Sequence, residues 1–205
     1  MSHSIITLLK EYRSQLVEIT KFDPLVHHRH SFRMKGYDYS LAGAYFVTIT
    51  THQRIYLFGD VVKDEIVLNP YGRVAFEQWI RLGKRFHQSD FSKFVIMPNY
   101  IHGIISIVRG AAEESQVSSV QNPPLRPYLT KLASNSLGVI VRAYKAAVTY
   151  RINAMRGFTD PPIWQRNYYD HIIRNEEDYE AIWNYIETNP RKWIDDRLNP
   201  YPATM

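Results

Sequence analysis

Apolar positions in this chain recur with two different periods, and the changes from one to the other predict its elements. Ala44-Tyr-Phe-Val-Thr-Ile-Thr-Thr51 is β-branched and aromatic with alternation, which predicts a strand. Residues 61–68 read as a short strand or hairpin, ended by Asn69-Pro70. Over 72–86 the period lengthens: Val74, Ala75, Trp79, Ile80 and Leu82 make a largely apolar side, with Arg73, Glu77, Arg81 and Lys84 outward, and this predicts a helix. Residues 91–97 and 101–108 are two short apolar strands joined at a Pro98-Asn99 corner. The segment 136–153 is a strongly amphipathic helix with Leu137, Ile140, Val141, Tyr144, Val148 and Ile152 as its buried stripe. Residues 163–173 predict a fourth core strand. Asn175 then caps a last helix whose first turn holds Glu176, Glu177 and Asp178. That helix is expected to end at Asn189, because Pro190 disfavours helical geometry in the residue before it, and to bury Tyr179, Ile182, Trp183 and Ile186. The order strand, helix, strand, strand, helix, strand, helix predicts an α+β fold, a ferredoxin-like βαββαβ sandwich with an antiparallel central sheet and an added C-terminal helix.

Composition sets the limits around this frame. With 205 residues, 45% of them hydrophobic, one domain with extensions is expected: an N-terminal extension at 1–30, a domain at 31–195 and a tail at 196–205. The extension carries a helical pattern over 5–19 and a basic arm, His27-His28-Arg29-His30, which suits phosphate or solvent better than one crowded metal site. Residues 109–135, rich in Ser, Glu, Gln, Asn and Pro, predict a long mobile connection. The absence of cysteine excludes disulfides and thiolate chemistry and fits a cytoplasmic protein. No apolar run of the length a membrane span needs is found, so no membrane association is expected. A net charge of +5 leans toward a polyanionic partner.

The candidate chemistry sits on two elements. Tyr100 and His102 lie two apart on one strand and so share a face, presenting a phenol beside an imidazole. A second His would ligate a metal better than that Tyr. On the last helix Tyr185 and Asn189, four apart, share one flank at the edge of the apolar stripe. Arg142 and Lys145, with Thr149, form a polar stripe on the long helix suited to a phosphate backbone.

Met97-Pro-Asn-Tyr-Ile-His102, the Gly36-Tyr-Asp-Tyr-Ser40 and Gly43-Ala-Tyr-Phe-Val-Thr-Ile-Thr50 segments before it, and Ser136-Leu-Gly-Val-Ile-Val-Arg-Ala-Tyr-Lys145, Ile163-Trp-Gln-Arg-Asn-Tyr-Tyr-Asp-His-Ile-Ile-Arg174 and Tyr185-Ile-Glu-Thr-Asn-Pro190 after it form an ordered set. The set resembles the REP-associated tyrosine transposases, of the HUH single-tyrosine transposase superfamily of small bacterial insertion sequences, over roughly residues 30 to 195. The resemblance implies an enzyme that nicks and rejoins single-stranded or hairpin DNA, with Tyr185 as nucleophile forming a 5′-phosphotyrosine. It implies a divalent metal, Mg²⁺ or Mn²⁺, held by His102, Asn189 and the residue at position 100, where this chain has Tyr100 in place of the family's first His. Arg142, Lys145, Arg166 and Arg174 would follow the DNA, and a homodimer would be compatible with the superfamily. His171 and His52 are the conceivable substitutes for the missing imidazole, each more readily structural. The competing expectation is a DNA-binding relative that has lost catalysis because of Tyr100.

Overall fold

The computed structural model describes residues 37–108 and 136–200, in which seven strands, three helices and two 3-10 turns are found, the first of these turns at His52–Arg54. In chain order these are β1 (Gly43–Thr50), β2 (Gly59–Val62), β3 (Glu65–Leu68), α1 (Pro70–Arg85), β4 (Ser89–Asp90), β5 (Phe94–Ile96), β6 (Tyr100–Ile107), α2 (Leu137–Arg156), β7 (Tyr169–Ile173), α3 (Glu176–Thr188) and the 3-10 turn Asn189–Asp195. The expected N-terminal helix and basic arm, and the expected connection at 109–135, lie outside the described residues.

A five-stranded sheet runs in the order β4-β6-β1-β7, with β5 also paired to β6, and every pairing is antiparallel. β1 lies between β6 and β7 and carries side chains to both faces. Tyr45, Val47 and Ile49 enter one core with Ile101, Ile105, Trp79 of α1 and the α2 stripe. Phe46 and Ile104 face the other way, onto Ile186 of α3. Helices α1 and α2 therefore cover one face of the sheet and α3 covers the opposite one. β2 and β3 form a separate hairpin.

Local chemistry explains the element ends. The Asn69 side chain accepts from the amides of Tyr71 and Gly72, with Pro70 in the first turn, so α1 starts two residues earlier than periodicity suggests. Ile80, counted on the apolar side of α1, is exposed, and the sheet-facing stripe is Val74, Ala75, Trp79 and Leu82. Trp79 lies directly on β6: a Cβ added to Gly103 would come within 2.3 Å of its ring. The α2 stripe is buried at all six predicted positions, and Tyr144 donates to the Ala75 carbonyl at 3.0 Å, tying α2 to α1. Gly157, with φ 75°, then closes α2 in the left-handed region.

Three expectations need correction. The strand expected over 91–97 is interrupted where Asp90 accepts from the amide and hydroxyl of Ser92. The strand expected over 163–173 is split: Trp164 makes an isolated antiparallel bridge to Thr51, the continuous ladder covers 169–173, and between them Lys145 takes the carbonyls of Gln165, Arg166 and Asn167. Asn189 keeps helical angles (φ −57°, ψ −43°) despite the following proline. The chain tightens there into the 3-10 turn instead of leaving the helix, and Pro190 sits in the first turn, where its missing N–H costs nothing. Among the described residues no helix is long and apolar enough to cross a membrane.

Candidate active site

His102 stands in the middle of β6, directly across from Thr48 of β1. Its Nδ1 is hydrogen-bonded to Thr48 Oγ1 at 2.9 Å, and its Nε2 lies 3.3 Å from the hydroxyl of Tyr185. Burial pushes the imidazole down to about 3, with the positive charge of Arg197 acting in the same direction, so it is neutral in ordinary buffers. If the phenol of Tyr185 donates, Nε2 is the acceptor and Nδ1 carries the proton toward Thr48. Thr48 fixes the ring orientation, and its hydroxyl, able to give or take a proton, accommodates that tautomer.

Tyr185 reaches His102 from the other side of the site, on α3. Its ring meets Phe46 edge-on at 6.1 Å and lies 5.3 Å from the imidazole, yet the residue is 40% exposed. Partial burial and Asp196 raise the phenol above its usual range, while Arg197 and Asn189 oppose that shift. The hydroxyl is thus protonated, carried on a partly exposed side chain and backed by an acceptor. The expected aromatic face of α3 is correspondingly shallow. Ile186 alone is fully buried, and Trp183 lies outside under the Lys93 ammonium, 4.3 Å from its ring, with Lys93 also paired to Glu187.

Tyr100 shares the face of His102 as its spacing predicts, with ring centroids 4.4 Å apart, but its hydroxyl points elsewhere. It lies 2.7 Å from Asn189 Oδ1 and 2.7 Å from Asp196 Oδ2. One phenolic proton cannot serve two acceptors fully, and the charged carboxylate is the stronger. Turning the Asn189 amide over would let its Nδ2 donate to the phenol instead. As placed, that Nδ2 is buried with no partner at hydrogen-bond distance, on an amide that also acts on the Tyr185 phenol. Burial and the bond to Asp196 hold the Tyr100 hydroxyl well above the usual phenol range, which disfavours a tyrosinate.

Residues 196–200, which sequence alone marks only as a tail, are fastened across this end of the site. Asp196 Oδ1 accepts from the Leu198 amide at 2.6 Å, the Leu198 carbonyl accepts from Asn99 at 2.8 Å, and Asn199 donates to the Trp193 carbonyl at 3.1 Å. Tyr56 donates to Asn199, and Trp193 packs against the rings of both Tyr56 and Tyr100. Sequence reasoning passed over Thr48, Asp196 and Arg197. Thr48 could be found by pairing β1 with β6 and keeping the face of His102, whereas nothing local marks Asp196.

A hard divalent cation needs several lone pairs converging on one point. Here Tyr100 offers a proton, the Asn189 oxygen is engaged by that phenol, and His102 has one nitrogen on Thr48 and the other on Tyr185. The donors as arranged do not fit the ion that the resemblance implies. What the acceptors would draw from a cation they draw from a phenolic proton.

The other candidate residues do not converge here. Arg142 and Lys145 belong to α2, on the opposite face of the sheet from Tyr185. Lys145 is further spent inside the fold: its ammonium donates to the Gln165 carbonyl at 2.6 Å, and burial lowers it to about 8. Arg166 and Arg174 are exposed, in the loop before β7 and the turn after it. His171 is paired with Asp178 at 2.9 Å, and His52 lies in a 3-10 turn after β1; no described contact brings either to His102.

No family model matches the chain. An uncharacterized protein of Haemophilus influenzae is 39% identical over 183 residues, covering 87% of this chain and 97% of that protein. A solved structure described as a REP-associated tyrosine transposase bound to a REP hairpin superposes with a TM-score of 0.52 at 19% identity, over 80% of this chain and 74% of that one. At that identity the likeness is one of fold.

Proposed function

The chain belongs to the family of the Haemophilus influenzae protein and has the fold of the REP-associated tyrosine transposase, and on that basis we propose that it nicks and rejoins single-stranded DNA through Tyr185. The observation that supports this reading is the solvent-open phenol of Tyr185 hydrogen-bonded at 3.3 Å to the neutral Nε2 of His102. A nucleophile backed by an acceptor, itself oriented by a third group, is the arrangement that phosphoryl and acyl transfers share. The solved neighbour is bound to a DNA hairpin, and we extend that partner class to this chain.

In the proposed step Tyr185 Oη attacks phosphorus of a phosphodiester. A P–O bond to the tyrosine forms as the bond to the 3′-oxygen breaks, leaving the DNA joined by a 5′-phosphotyrosine. The phenolic proton ends on the departing 3′-oxygen as a hydroxyl, with His102 Nε2 placed to carry it. In the free protein that transfer is far uphill, since burial weakens the imidazole as a base and strengthens the phenol's hold on its proton. A phosphodiester anion lodged beside the imidazole favours its charged form and works against burial. The phenolate is a tolerable leaving group, so a 3′-hydroxyl from another strand end reverses the step and joins the DNA.

The test is a labelled single-stranded hairpin incubated with the protein in EDTA and in Mn²⁺, then resolved on a denaturing gel. A covalent adduct in the wild type that is lost in Tyr185→Phe is the expected result. An adduct that survives Tyr185→Phe rejects the nucleophile. A second reading, a DNA-binding relative without turnover, draws on the closed Tyr100–Asn189–Asp196 network. It predicts no adduct in the wild type and one in Tyr100→His with Mn²⁺.

A further inference from the structure

The register of the sheet places a second exposed phenol on the face that carries the reacting pair. His102 of β6 lies across from Thr48 of β1, and Thr48 lies across from Tyr169 of β7, so the three stand in one row. Residues directly opposite in an antiparallel ladder point to the same side. The bond between His102 Nδ1 and Thr48, and the pairing of His171 with Asp178 of α3, fix that side as the one under α3. Tyr168, the neighbour of Tyr169, packs against the core on the opposite side. Two strand spacings, about 9–10 Å, separate the backbones of His102 and Tyr169. Tyr169 is 41% exposed, although it is aromatic and lies within a sheet. α3 rests over β5 and β6, and among the described residues β7 is the last strand of the sheet, so this end of the row stays accessible. Exposed Arg166 and Arg174 stand before and after β7.

We propose that Tyr169 stacks on the base next to the phosphodiester at Tyr185, and that the protein therefore takes a strand whose base is unpaired there. The proposal rests on the reading of Tyr185 as nucleophile. A phosphate that meets Tyr185 and His102 is one strand from Thr48 and two from Tyr169, a span that the sugar and base of the adjoining nucleotide fill. Every base has a π-face, so an aromatic ring holds it without reading its identity. A base inside a duplex has both faces covered by its neighbours, so the strand must be single or opened at that point. Cations before and after β7 suit phosphates further along the same strand. The ring of Tyr169, and not its hydroxyl, carries this role.

The test is anisotropy with a fluorescent single-stranded oligothymidine and with an abasic strand of the same length and charge. The wild type is expected to hold the thymidine strand about fivefold tighter or more. Tyr169→Thr, which keeps a residue suited to a strand, should lose about that factor on the thymidine strand. Its salt slope and its affinity for the abasic strand should stay as in the wild type, because no charge is removed. Tyr169→Phe keeps the ring and should bind like the wild type. Tyr150→Ala, which removes a 77% exposed phenol from α2 across the sheet, should do so too. In the adduct reaction at subsaturating DNA, one abasic nucleotide beside the joined phosphate should slow the wild type and leave Tyr169→Thr unaffected. Equal wild-type affinity for the two strands would overturn the proposal, as would no binding of either strand. Tyr169→Thr binding like the wild type, or an abasic penalty of the same size in both proteins, overturns it as well. An adduct that needs Tyr185, with binding that ignores Tyr169, rejects this proposal and keeps the nucleophile reading. Binding that depends on Tyr169 without any adduct rejects the nucleophile reading and keeps the stacking face.

Discussion

The hydroxyl of Tyr185 and the Nε2 of His102 face one another at 3.3 Å across the α3–sheet boundary, and the imidazole is neutral because it is buried. Replacing the acceptor should therefore cost chemistry more than binding. His102→Asn is expected to lower the rate of adduct formation by about 10² to 10⁴-fold, the usual worth of a positioned acid–base group. Hairpin affinity should stay within a few-fold of wild type. Single-turnover gels and anisotropy on the same variant separate the two.

The same burial makes stability depend on pH. The folded imidazole sits at about 3, below its ordinary value of about 6.5, so the unfolded chain binds the extra proton first. The contribution is fully present above about 6.5 and is lost as pH falls from there toward 3. Denaturant midpoints should fall progressively below neutrality by an amount of order a few kcal/mol in all. The window between pH 6.5 and 4.5 belongs to His102, because the depressed carboxylates of Asp178 and Glu187 begin to respond only lower down. In His102→Asn the slope in that window should vanish.

Position 100 offers a direct comparison of phenol with imidazole. Tyr100→Phe leaves the Asp196 carboxylate without its buried donor and should destabilise the fold by about 1–3 kcal/mol. Tyr100→His places a second imidazole beside His102. In thermal melts Mn²⁺ should raise the midpoint of that variant, by mass action, and leave the wild type unmoved. An equal rise in both would show that the native donors already hold the ion.

Gly103 tests the packing beneath the site. Its missing Cβ is the space into which the Trp79 ring fits, 2.3 Å from where that carbon would be, and the ring is held by a hydrogen bond from its Nε1 to the Phe91 carbonyl. Gly103→Ala should cost about 1–3 kcal/mol or more. Combining it with Trp79→Phe should return part of the loss, read as non-additive urea midpoints.

Much of this is legible in the sequence, and what is not escapes it for two separate reasons. Periodicity finds the six buried positions of α2, and strand alternation puts Tyr100 and His102 on one face, because both are local consequences of backbone geometry. A helical wheel does not say which side of a sheet its helix will cover. Arg142 and Lys145, expected to follow the DNA, lie on α2 across the sheet from Tyr185, and Lys145 donates to the 165–167 carbonyls. Asp196 is invisible for a different reason. Its place in the site comes from a turn that continues past Pro190 and from the bond to Tyr100, 96 residues away in sequence, which no short-range pattern encodes.

The shallow seating of α3 separates two demands that the proposed reaction makes. The long helix α2 is anchored by six buried side chains, whereas α3 commits only Ile186 fully to the interior. The elements that give the domain its stability are thus on one side of the sheet, and the tyrosine is mounted on the other. Opening of α3 by local fluctuation costs little of the main hydrophobic core. In the proposed reaction, a phenol so mounted moves with the strand joined to it while the main core stays folded.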